Sequence, residues 1–179
     1  PHQKIVKLTE SKILRREDIT EDLLLIWVEK PDGFRFEAGQ YCTIGRSGIE
    51  RAYSIVSAPH EDDIELFVEL VPPPMGVLTP LLWDLKPGDT VSIRPRAKGL
   101  FKFKPDLSNQ LLVATVTGVV PYISFIREYL HKGDKGHHFY LLHGASYFDE
   151  FAYKIELETL AHQHPELITY VPTVSRPNE

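Results

Sequence analysis

One cysteine, one methionine and two tryptophans occur in a chain of 179 residues, and the scarcity of sulfur excludes whole classes of chemistry. With Cys42 alone there is no internal disulfide framework, no cysteine-ligated iron–sulfur cluster and no cysteine-rich zinc site. A single thiol in an apolar strand reads as a small core residue. Positive charge is not in excess either: 20 Lys and Arg face 25 Asp and Glu, a net charge of −5. No chain-wide basic field therefore exists to draw in nucleic acid. No apolar run reaches membrane-spanning length, and the start, Pro1-His2-Gln3-Lys4, lacks the apolar core of a signal peptide. The chain is expected to be soluble and cytoplasmic, with no membrane partner. Repeats and low-complexity tracts are missing as well. The apolar share of 42% is enough for a sizeable core, and the length suits one large domain or two small ones.

The first hundred residues read as strands. Leu23 to Val28 and Gln40 to Gly45 are apolar, β-prone runs. Ile64, Leu66, Val68 and Leu70 alternate onto one face, the period of a strand. Leu85-Lys86-Pro87-Gly88-Asp89 forms a turn into a strand from Thr90 to Arg94. Short strands punctuated by Pro and Gly predict a small antiparallel barrel. One helix is expected within it. Pro72-Pro73-Pro74-Met75-Gly76 reads as a rigid loop, and Thr79-Pro80 as an N-cap followed by proline at the first helical position.

The period changes after Lys104-Pro105-Asp106-Leu107-Ser108-Asn109. Leu111 to Val116 is continuously apolar and predicts a strand buried on both faces. Val119, Tyr122, Ile123, Ile126 and Leu130 form a helical stripe. His138 to His143 reads as a second strand, with Phe148, Phe151, Ala152 and Ile155 as the face of a second helix. Leu167 to Val174 supplies a third strand. The order β-α-β-α-β implies a parallel sheet. Two domains are expected: residues 1–106, an antiparallel β-barrel, and 107–179, a partial α/β parallel-sheet domain. A nucleotide-binding α/β domain normally continues past three strands, so its C-terminal part is expected to be absent from this chain.

Two motifs carry chemistry. Arg51-Ala52-Tyr53-Ser54 sets a guanidinium fork, an aromatic ring and a hydroxyl along one strand. Such a set can clamp a pyrophosphate, stack on a flat heterocycle and hydrogen-bond a ring nitrogen. Alternation puts Arg51 and Tyr53 on one face and Ser54 on the other unless a twist re-aims it. An edge strand with an exposed Arg and a half-buried Tyr would carry the same four residues. Thr117-Gly118-Val119-Val120-Pro121 is a glycine turn between an apolar strand and a helix, where a phosphate or nicotinamide can approach the backbone; a generic strand–turn–helix joint reads the same way. His162 and His164, two apart, do not share a helical face, so no metal site is expected.

In order along the chain, Arg51-Ala52-Tyr53-Ser54, Gly76-Val77-Leu78-Thr79, Leu85-Lys86-Pro87-Gly88-Asp89 and Thr117-Gly118-Val119-Val120-Pro121 resemble the ferredoxin–NADP(+) reductase superfamily, and specifically its bacterial ferredoxin/flavodoxin–NADP(+) reductases. The resemblance runs from about the second strand to the last residue. It implies a flavoprotein oxidoreductase that moves electrons between NADPH and ferredoxin or flavodoxin through bound FAD. By the same resemblance Arg51 binds the FAD pyrophosphate, Tyr53 packs on the flavin and Ser54 lies near its N5, on the hydride path. Val68, Glu69 and Leu70 match the segment whose backbone lines the flavin. Gly76, Val77, Leu78 and Thr79 match the turn that carries the pyrophosphate.

At the second motif many members of the family have Gly-Thr-Gly and a small residue before the proline, where this chain has Val116-Thr117-Gly118 and Val120. The β-branched side chain is expected to narrow the nicotinamide approach while Thr117 keeps its place facing the flavin. Ser146 stands where related reductases often carry an arginine for the 2′-phosphate of NADP. Ser175 and Arg176 match a Ser-Arg pair that contacts the same phosphate. Two further readings keep part of this picture: a reductase module serving an oxygenase or heme partner, and a non-catalytic FAD-binding subunit of a larger complex.

Overall fold

A computed structural model describes residues 8–177. Six strands form one antiparallel sheet: β1 (Thr9–Asp18), β2 (Leu23–Glu29), β3 (Tyr41–Arg46), β4 (Ile49–Ser54), β5 (Asp63–Glu69) and β6 (Thr90–Ile93). Their order is β4-β3-β6-β1-β2-β5. The two edge strands, β4 and β5, come back beside one another, so the sheet curls into a near-closed barrel. A register shift between Ile13 and Arg15 on β1 helps it bend. Inside lie Ile13, Ile26, Ile44, Ile64, Leu66 and Ile93, stoppered by Leu78 and Leu82 of the short helix α1 (Leu78–Trp83). Each such side chain contributes about 1.5–3 kcal/mol through burial. Cys42 is sealed in this core, and burial pushes its thiol up to about 12, which makes it inert.

The other sheet is parallel, in the order β7-β8-β9, with β7 (Asn109–Thr115), β8 (His138–Ala145) and β9 (Ile168–Val174). A 3-10 turn, Val116–Val119, leads from β7 into α2 (Val120–Lys132). Proline in its first turn starts α2, and Gly133, left-handed at φ 69°, ends it. A second 3-10 turn, Phe148–Glu150, precedes α3 (Lys154–Gln163). Pro172 lies within β9, an edge of the sheet. No helix among the described residues is long and apolar enough to cross a membrane.

Two expectations about faces, on β7 and around α3, are corrected, and the one on β5 is extended. On β5 the second face is also buried: Glu65 and Phe67 look outward from the barrel but are covered by the α/β part. There Leu23, Leu25, Val56 and Phe67 share one apolar cluster with Val119, Val120, Ile123 and Ile126. On β7 the reverse holds. Leu112 and Ala114 are buried, whereas Leu111 is 71% and Val113 55% exposed, so the strand is covered on one face only. A run of apolar residues cannot tell one-sided from two-sided cover. Around α3, Phe148 and Ile155 point to solvent, Ile155 being 83% exposed. The buried side chains are Phe151, Tyr153 and Leu157, because the 3-10 turn and the loop at residues 151–153 break the helical phase.

Candidate active site

A cleft of ≈ 370 Å³ opens where the barrel meets the α/β part. One wall is β4. All four of Arg51, Ala52, Tyr53 and Ser54 line it, because the twist of this edge strand brings both faces to the opening. The Arg51 guanidinium is exposed and donates to the Glu50 carbonyl at 2.7 Å. The neighbouring Glu50 carboxylate is occupied by Arg94 through two bonds of 2.9 and 2.8 Å, which hold its pKa below the usual carboxylate range. Arg51 thus makes no ion pair among the described residues and presents its fork to the cleft. Burial raises Tyr53 to about 12, with the Arg51 charge opposing, so the ring stays neutral.

Another wall is the loop before α1 together with the first turn of that helix. Gly76, Val77, Leu78 and Thr79 all line the cleft. Thr79 is not the N-cap, and Pro80 is not the first helical residue: the cap is Val77, and no side chain caps it. Instead the Thr79 hydroxyl accepts from the Val71 N–H at 2.9 Å and donates to the Val71 carbonyl at 3.0 Å, stapling the loop shut. A Cβ at Gly76 would overlap the Val71 carbonyl, so only glycine lets the chain pass here. Of the β5 segment, Glu69 lines the cleft together with Phe67 and Val71. The Val68 side chain is sealed in the barrel core, and Leu70 donates its N–H to the Asp22 carbonyl, away from the cleft lining.

Thr117 and Val120 close the cleft from the α/β side. Gly118 is exposed and outside the lining, and a Cβ there would meet only the Ala114 methyl at 3.7 Å. The strain lies two residues before the glycine of this turn. Val116 has φ +40°, a left-handed conformation that a β-branched residue strongly disfavours. Val116→Gly is expected to raise stability by about 1 kcal/mol, the relieved strain exceeding the loss of side-chain packing and the added chain entropy. A urea midpoint that falls would show that packing of the Val116 side chain outweighs the strain.

Ser146, Ser175 and Arg176 do not reach this cleft. They follow β8 and β9 at the carboxyl end of the parallel sheet, the same end as Thr117, where open α/β sheets bind ligands. Arg176 donates its N–H to the Ser146 carbonyl at 3.0 Å, and its guanidinium donates to the Tyr147 hydroxyl at 3.1 Å. Ser146 and Arg176 are therefore neighbours. Among the described residues no group of three or more His, Cys, Asp or Glu could hold a metal ion. One buried histidine, His143, escaped the sequence reading. Its only signal was a titratable residue closing the apolar stretch Phe139-Tyr140-Leu141-Leu142.

A family model, the oxidoreductase NAD-binding domain, matches residues 112–179. A flavodoxin/ferredoxin–NADP reductase of Shigella flexneri is 31% identical over 172 residues, 92% of this chain and 67% of that protein. The chain belongs to the flavodoxin/ferredoxin–NADP reductase family. Ferredoxin–NADP reductase B of Sorangium cellulosum is 37% identical over 157 residues, covering 83% of this chain and 62% of that protein. A crystal structure of the ferredoxin–NADP+ reductase of Neisseria gonorrhoeae with bound FAD and NADP superimposes with a TM-score of 0.83. It is 28% identical and covers 97% of this chain and 70% of that one. The chain thus spans about two thirds of the length of these reductases. The likeness accounts for the curled antiparallel sheet followed by parallel strands that the family shares.

Proposed function

We propose that this chain is the FAD-holding and nucleotide-presenting part of a reductase that moves electrons between NADPH and ferredoxin or flavodoxin. In this reading residues 1–106 hold the FAD and 107–179 present the nucleotide. The observation that carries it is the cleft itself, where Arg51–Ser54 and Gly76–Thr79 of the barrel face Thr117 of the α/β part. The donor set suits FAD. An exposed guanidinium with no carboxylate partner among the described residues matches a pyrophosphate. A neutral ring, half-buried, offers a stacking surface, and an exposed hydroxyl beside it offers a hydrogen bond to a ring nitrogen. FAD held there by Arg51, Tyr53 and Ser54 would supply the chemistry of hydride acceptance and one-electron transfer.

The side chains then divide the work. Arg51 anchors the phosphates, Tyr53 fixes the ring plane, and Ser54 orients the ring through one hydrogen bond. Thr117 bounds the side from which the nicotinamide comes. Ser146, Ser175 and Arg176 receive the 2′-phosphate, with Arg176 supplying the charge. A cytoplasmic setting goes with this reading, supported by a lone buried thiol that needs no oxidising compartment.

The deciding experiment is an anaerobic titration of the protein with NADPH, following the visible flavin bands. Bleaching is expected. A yellow protein that stays oxidised would reduce the reading to FAD binding alone, and a colourless one that rejects added FAD would end it. Ser54→Ala is expected to slow flavin reduction several-fold, the worth of about one hydrogen bond, while FAD affinity changes less. Unchanged stopped-flow rates would remove Ser54 from the hydride path.

A further inference from the structure

His143 is fully buried on β8, at 0% exposure, and the reading above gives it no task. Its Nε2 lies 2.9 Å from the Val116 carbonyl oxygen, and its Nδ1 lies 3.1 Å from the Tyr170 hydroxyl. Phe151 packs edge-on to the ring at 4.9 Å. A carbonyl can only accept, so Nε2 carries the hydrogen. Neutral Nδ1 must then accept, and the Tyr170 O–H donates to it. Burial supports both states, lowering the His143 pKa and raising that of Tyr170. One chain of hydrogen bonds thus runs from β9 through β8 to the end of β7. It terminates on Val116, the residue with the unfavourable φ of +40°. The next residue is Thr117, in the cleft wall.

We propose that His143, oriented by Tyr170, is a positioning residue that grips the strained Val116 carbonyl and so sets the Thr117 backbone where the nicotinamide must approach the flavin. This rests on the flavin reading of the cleft. A β-branched residue persists at a left-handed position only where its surroundings over-determine it. The histidine bond supplies such a restraint in a place where a flexible glycine would need none.

The test has a cofactor-free arm and a kinetic arm, both on the full chain. Side-chain nitrogen NMR of the wild-type protein should show His143 with hydrogen on Nε2 and bare Nδ1; the opposite tautomer overturns the proposal. In a stability cycle, His143→Asn should raise the unfolding constant at least tenfold with Val116 present and less than threefold in the Val116→Gly background. Equal effects in the two backgrounds would mean that the bond does not hold the strained turn. With FAD bound, His143→Asn should slow reduction by NADPH at least tenfold while the FAD Kd stays within threefold. His143→Gln, whose amide nitrogen reaches the place of Nε2, should restore the rate to within threefold of wild type. Equal slowing by Asn and Gln, or a rate loss that merely follows FAD loss, overturns the positioning role. Should the wild-type chain take up no FAD, the flavin reading fails by itself, and the tautomer and the cycle still decide whether His143 holds the turn.

Discussion

Arg127→Ala is expected to destabilise the protein by about 3 kcal/mol, the cost of leaving the buried Glu65 carboxylate and two partly exposed ones without their cation. Arg127, on α2, is only 16% exposed, and it joins three elements. It forks onto Glu156 of α3 at 3.1 and 2.7 Å, and reaches Glu65 of β5 at 3.2 Å and Glu61 at 3.3 Å. Burial works against its charge, but the Glu156 hydrogen bonds and the Glu65, Glu156 and Glu61 carboxylates outweigh that and raise its pKa above the ordinary arginine value. Glu65 is the deepest of the acids and also accepts from Tyr153 at 2.6 Å and Trp27 at 3.1 Å. Removing the cation leaves it with those two donors and an unbalanced charge. Arg127→Lys keeps the charge but not the fork and is expected to recover only part of the loss. Urea unfolding of the two variants checks this; a loss under 1 kcal/mol for Arg127→Ala would mean that water replaces the guanidinium at little cost.

Gly76→Ala is expected to weaken FAD binding at least tenfold and to cost about 3 kcal/mol of stability. The new methyl group would enter the Val71 carbonyl, which is backbone and cannot rotate aside. Displacing that carbonyl pulls on the Thr79 hydroxyl, whose two bonds to Val71 close the loop. Gly118→Ala is the contrast, since its Cβ meets only the Ala114 methyl at 3.7 Å; stability should stay within about 0.5 kcal/mol. Flavin fluorescence quenching measures the first effect and urea midpoints the second. FAD affinity within threefold of wild type for Gly76→Ala would show that the loop adapts without reshaping the cleft.

The barrel was legible because alternation and Pro/Gly punctuation are local signals, and the strands at Leu23, Gln40, Ile64 and Thr90 fall where they predicted. The parallel sheet was legible from a different local signal, apolar runs separated by helical stripes in the order β-α-β-α-β. Thr79 misled because Thr-Pro is a strong local cue for a helix start, whereas the hydroxyl is taken by Val71, eight residues away, through tertiary contact. Leu111 and Val113 misled because composition reports apolarity and not what lies above a strand. The Arg127 cluster and the His143 chain were out of reach altogether. Each needs side chains from separate elements brought together by the fold, and the strain at Val116 depends on the sign of one dihedral angle.

Pro172 gives the parallel sheet two unlike rims. The Phe139 N–H donates to the Leu167 carbonyl at one end of β9, and the Ser175 N–H to the Ala145 carbonyl at the other. The alternation between these two bonds turns the backbone nitrogen of Pro172 away from β8, where an incoming strand would look for a donor and find none. On β7 the run Asn109–Thr115 contains no proline, so every outer N–H is present, and of its outer carbonyls that of Val113 also accepts from the Tyr122 hydroxyl at 3.2 Å. Lateral growth of this sheet, by whatever strand, is therefore directional: β7 can be the template, and β9 resists becoming one.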